Sequence, residues 1–140
     1  MDAAVPVLLA DLEPVGGNTM GTEEVKGVHI SGQSYPRSVV EFCMDTESDL
    51  EYNLGRRAQR FSATIGIDDT QDASELLVDV AIYGDNQLLE SMTIALGQAE
   101  EVDIPVENVL RLNLSCQTRH KDPGYMGMTY LSYGDATLIP

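Results

Sequence analysis

The chain has 140 residues, the length of one domain and enough to bury a core of its own. Lys plus Arg number 8 and Asp plus Glu 23, so the net charge is 8 − 23 = −15. A field of that sign repels phosphate backbones and anionic lipid, which argues against nucleic-acid and membrane-surface partners, and no apolar run reaches the roughly 20 residues that cross a bilayer.

Residues 1–14 contain a short apolar patch with acids on both sides and no basic segment ahead of it. They do not read as a secretory leader, and their alternation fits a first strand. A native start at Met1 and a chain trimmed of a leader both fit. Residues 16–22 form a Gly- and Asn-containing loop, residues 25–30 a second strand, and Ser31-Gly32-Gln33 a turn. Tyr35-Pro36 opens an extended piece that leads into residues 39–44, and residues 45–49 make an acidic turn.

Period-two alternation is clearest in the middle of the chain. Leu50, Tyr52 and Leu54 share one face, as do Phe61, Ala63, Ile65 and Ile67, and then Leu76, Val78, Val80 and Ile82. Such alternation marks strands with one face in a core. Gly84-Asp85-Asn86 supplies the residues a tight hairpin needs, and Leu88-Leu89 starts the return strand. A late strand over residues 109–116 places Leu110, Leu112, Leu114 and Cys116 on one side. The long irregular stretch is residues 117–130. No segment shows helical periodicity over three turns, and about ten short strands with regular turn signals predict an all-β sandwich filling residues 1–140 as a single domain.

The order of these pieces resembles the NPCBM family of carbohydrate-binding modules. The resemblance runs through Leu8 to Glu13, Val28-His29-Ile30 with Gly32 and Tyr35-Pro36, and Leu50 to Gly55. Its strongest block is Arg60-Phe61-Ser62-Ala63-Thr64-Ile65-Gly66-Ile67-Asp68-Asp69, followed by Ile82 to Asp85 and Tyr133-Gly134-Asp135-Ala136-Thr137-Leu138. It implies a galactose-binding-domain-like jelly roll, often attached to glycoside hydrolases or other bacterial proteins. Family members commonly carry a Trp before the final Gly/Ala-Asp-Ala segment; here Tyr133 stands there, and the chain has no Trp. The implied role is a non-catalytic binding module with carbohydrate as the first ligand class. The alternative is a structural or protein-interaction sandwich that has lost sugar binding.

A sugar site needs an aromatic face and directed polar groups. The candidates are Tyr125, Tyr130 and Tyr133, with Arg119 and His120, and Lys121 and Asp122 beside them, as polar partners. The competing reading is that these rings and the two Met pack the loop onto the end of the sandwich. Asp68, Asp69 and Asp72 place three carboxylates within five residues. Calcium takes oxygen ligands of this kind, and galactose-binding-like domains often carry a structural calcium. The spacing is not that of an EF-hand, and a solvated turn capping backbone amides competes.

Cys43 and Cys116 are the only cysteines. One bridge between them and two buried free thiols remain open, the first suiting an extracellular setting and the second a reducing cytoplasm. Arg56, Arg57 and Arg60 cluster at a strand turn, either offsetting nearby acids or meeting an acidic partner. Asn113-Leu114-Ser115 matches a glycosylation acceptor but lies in an expected strand. His29 and His120 have no nucleophile at an informative spacing, and phosphate-loop and zinc-ligand patterns are absent from the sequence.

Overall fold

The computed structural model describes residues 5–17 and 24–140. The loop expected over residues 16–22 lies outside them from Asn18 onward, as do the first four residues of the expected first strand. The strands are β1 (Val7–Leu8), β2 (Glu24–Ile30), β3 (Gln33–Cys43), β4 (Ser48–Asn53), β5 (Arg60–Gly66), β6 (Leu76–Gly84), β7 (Gln87–Ala95), β8 (Ala99–Pro105), β9 (Arg111–His120) and β10 (Thr129–Ile139). One turn of 3₁₀ helix, Leu9–Asp11, follows β1.

Two antiparallel sheets form a sandwich. One has the order β2-β3-β10-β5-β8, with β1 also paired to β10, and the other has the order β4-β9-β6-β7. The alternation read from the sequence sets the register. Phe61 and Ile65 of β5, Val78 and Ile82 of β6, and Leu112 and Leu114 of β9 are all buried between the sheets. Each such side chain contributes roughly 1.5–3 kcal/mol by leaving water. Asp85 and Asn86 take φ of 50° and 68°, and Gly84 pairs with Gln87 across them, a two-residue turn whose twist matches its strands.

Two elements differ from the expectation. β3 runs straight through Pro36, which a central ladder does not normally hold. Here the β2–β3 register shifts between Lys26 and Val28, and Gly27, whose absent Cβ would lie 3.6 Å from Pro36 Cα, brings the strands past the ring. β9 continues four residues beyond Cys116, because Thr118 takes the inward position that an apolar residue would have advertised. It is buried, and its Oγ1 donates to Gly127 O at 2.6 Å. The irregular stretch therefore shrinks to residues 121–128.

Cys43 at the end of β3 and Cys116 in β9 form a disulfide with Cα atoms 5.7 Å apart, joining the two sheets. With a sequence separation of 73 residues between the cysteines, loop-closure entropy assigns it about 4 kcal/mol.

Candidate functional site

The carboxyl end of β9 and the loop after it build a broad depression. The loop is held at both ends: Lys121 N donates to Glu75 O at 2.8 Å, Lys121 Nζ to Ser74 O at 2.8 Å, and Thr118 Oγ1 to Gly127 O. Two glycines shape it. Gly124 has φ of 102°, the left-handed turn that projects the next residue. A Cβ on Gly127 would sit 2.3 Å from Leu76 Cδ2, so the chain presses onto β6 there and any larger residue would require the Leu76 side chain to move. Tyr125 is left 66% exposed. Its ring centroid lies 5.3 Å from that of His120, with 35° between the planes. His120 is fixed in turn, because its Nδ1 accepts from Asp122 N at 3.0 Å.

The two rings border a depression of about 510 Å³, completed by Asp45, Thr118, Arg119 and Met126. Arg119 is committed to Asp79, with Nε donating to Oδ2 at 2.6 Å and a second bond to Oδ1 at 3.0 Å. That bond is the main reason the Asp79 carboxyl lies below its ordinary range. Partial burial opposes it and a hydrogen bond from Thr93 adds to it. The same pair raises Arg119.

Of the three tyrosines expected to face a ligand, Tyr125 is the one that lines the depression. Tyr133 is fully buried, and its hydroxyl donates to Glu41 Oε1 at 2.8 Å, so it is a core residue and the expectation is corrected. The reason is register: residues 131, 133 and 136 of β10 all turn inward on either side of a bulge between Gly134 and Thr137. Tyr130 does not line that depression. It is half-buried on the other face of β10, against Phe42 at 5.2 Å between ring centres and beside Val28, Ile30 and Val40.

Asp68 and Asp69 hold the loop after β5 to the turn between β2 and β3. Asp69 accepts from Ser31 N at 3.0 Å and Gly32 N at 2.9 Å, and Asp68 from Thr70 N and Oγ1 and from His29 N. Burial pushes the Asp68 carboxyl up, but the Thr70 and His29 bonds and nearby Lys26 outweigh it, and the net shift is downward. Asp72 is exposed and lines a separate depression with Glu75 and Met128. Among the described residues, the one grouping of three ligand-type side chains within 4.8 Å is Glu41, Cys43 and Cys116, and both sulfurs belong to the disulfide. The three aspartates are not assembled into such a group. Arg60 pairs with Asp103 at 2.7 Å, and Asn113 Nδ2 donates to Asp49 at 2.6 Å inside the sheet.

Two contributors were hidden in the sequence. Asp45 was visible only as part of an acidic turn, and nothing in the chain announces that Gln117 Nε2 donates to its carbonyl at 2.7 Å. The Asp79–Arg119 pair spans 40 residues and depends on the β6–β9 register.

The NPCBM/NEW2 domain family matches residues 13–139. No sequence among the curated proteins matches the chain. Several solved structures share its fold. The CBM51 module of a GH95 enzyme from Clostridium perfringens, solved with methyl-galactose, superposes with a TM-score of 0.75 at 18% identity, covering 96% of this chain and 99% of that one. The CBM51-2 and INT domains of ZmpB from the same organism, solved with GlcNAc, give 0.73 at 14% identity, covering 96% of this chain and 31% of that one. The tandem CBM51 modules of a family 98 glycoside hydrolase from Streptococcus pneumoniae give 0.72 at 16% identity, covering 96% and 46%. The chain thus spans less than half of the last two.

Proposed function

The chain belongs to the NPCBM/NEW2 domain family, and from that premise we propose that it is a non-catalytic carbohydrate-binding module whose sugar site is the depression beside loop 121–128. One observation carries the site: the exposed face of Tyr125, held next to His120, over a cavity of about 510 Å³. Sugar C–H faces stack on such rings, and the hydroxyls need directed partners. Because Nδ1 of His120 already accepts a hydrogen bond, Nε2 is the nitrogen left to donate. Asp45, also in the lining, supplies an acceptor. The bacterial sandwiches that share the fold sit mostly within longer chains, and we read this chain as an accessory module of a bacterial enzyme. Methyl galactoside and GlcNAc, bound by two of those modules, are the first sugars to try.

One observation favours a second reading. Met126 and Met128 are 78% and 58% exposed beside Tyr125, an apolar rim of the kind that protein partners cover. NMR titration with the two sugars separates the readings. Shifts confined to residues around His120 and Tyr125 support the sugar site. No shift with any glycan, including an array, leaves the protein-interaction reading.

A further inference from the structure

We propose that the site does not end at the loop but continues onto the outer face of the four-stranded sheet, so that the ligand is an uncharged oligosaccharide of two or more units rather than a single sugar. This rests on the carbohydrate reading above. The register places the outward residues of β4, β9, β6 and β7 in rows. Asp49, Ser115, Ala81 and Ser91 lie directly opposite one another, and the next row toward the loop is Gln117, Asp79 and Thr93. The row before it is Glu51, Asn113 and Tyr83. Ser115, Ala81 and Ser91 are small beside the larger Gln117, Asp79 and Thr93, which leaves a trough along their row. The structure has one there, about 290 Å³, floored by Ser115, Ala81 and Ser91 and walled by Glu47, Gln117 and Asp79.

The trough and the loop depression adjoin. Two hydrogen-bonded pairs cross from one to the other: Asp79 lines the trough and holds Arg119 of the depression, and Gln117 lines the trough and donates to Asp45 of the depression. Four residues of β9 separate Arg119 from Ser115, about 13 Å at strand rise, longer than one pyranose ring.

The chemistry of the walls selects the ligand. The Glu47 carboxylate and Ser91 Oγ make no hydrogen bond among the described residues, and Gln117 keeps its amide oxygen for an outside donor. These groups take hydroxyl and amide N–H donors. Charge restricts them further. Asp45 and Glu47 line the path and Asp49 stands in the row opposite Ser115, while Arg119, the one guanidinium among the described lining residues, is neutralised by Asp79. Sialylated, sulfated and uronic-acid glycans are therefore repelled. A bound peptide finds no open backbone in the middle of this face, where β6 and β9 are paired on both sides.

The test uses calorimetry and amide NMR on the protein and on Ser91→Ile, an exposed β7 position where a β-branched residue suits a strand and fills the trough without offering a ring for a sugar to stack on. The probes are methyl galactoside, GlcNAc, and linear two- to four-unit ladders of each. The expected result is at least tenfold tighter binding for three units than for one, new shifts at Ala81 and Gln117 only with the longer probes, and loss of that gain in Ser91→Ile with monomer affinity unchanged. Equal affinity along both ladders, or an unaltered gain in Ser91→Ile, overturns the extended site and leaves the loop site standing. No binding of any probe removes the loop site, and this inference with it.

Discussion

The hydroxyl of Tyr133 on β10 donates to Glu41 Oε1 on the adjacent β3 at 2.8 Å, and both residues are fully buried between the sheets. Glu41 Oε2 is buried with no hydrogen-bond partner among the described residues. A carboxylate there is costly, which favours the neutral acid. Burial is the largest influence and pushes the Glu41 carboxyl well above its usual range. The Tyr133 bond pulls it down, and nearby Asp49 pushes it further up. The Tyr133 phenol is raised for the same reasons, burial first and Glu41 next.

The pH dependence of stability follows from that shift. An acid whose folded pKa exceeds its unfolded value stabilises the fold below the unfolded pKa, near 4.5, and loses that contribution as pH rises through the folded one. The melting temperature should therefore fall as pH rises from about 4.5. Repulsion among the other acids acts in the same window, so the comparison that isolates Glu41 is with Glu41→Gln. The variant should gain on the parent as pH rises above about 4.5. A difference that stays flat over that range shows that Glu41 ionises freely in the folded protein.

Tyr133→Phe keeps the ring and removes the donor, leaving a second buried oxygen of Glu41 unpaired. The cost should be about 1–3 kcal/mol in urea denaturation. Sugar binding should be unaffected, since Tyr133 lies in the core and not at the ligand surface.

That buried pair also marks where the sequence was legible and where it was not. Phe61, Ile65, Val78 and Leu112 announce their strands because an apolar residue at every second position puts all of them on one face of an extended chain, and that face must be covered. Glu41 and Tyr133 occupy inward positions with polar side chains, and one strand cannot say which partner satisfies them. The same blindness hid Thr118, and with it the last residues of β9 before the loop. The candidate site was half legible. Tyr125 and His120 lie five residues apart in a loop rich in Gly and Met, a local signal. Asp45 and Asp79 reach the site only through strand pairings over long separations, which composition and period do not encode.

Reducing the Cys43–Cys116 bond should lower stability by about 4 kcal/mol, because it closes a long loop and joins opposite sheets. Denaturant midpoints with and without a thiol reductant measure this. Thiol assay of the unfolded, unreduced protein should find no free thiol. Two thiols per chain contradict the bridge.

The central claim is that Tyr125 presents a sugar-binding face, and calorimetric titration of the protein beside Tyr125→Ala tests it most directly. The ligand is whichever of methyl galactoside, GlcNAc or their short oligomers binds the parent. Tyr125 is exposed and its removal opens no cavity, so the melting temperature should change little. Loss of the stacking face should weaken binding at least tenfold. Unchanged affinity in Tyr125→Ala, or no glycan bound by the parent at all, contradicts the site.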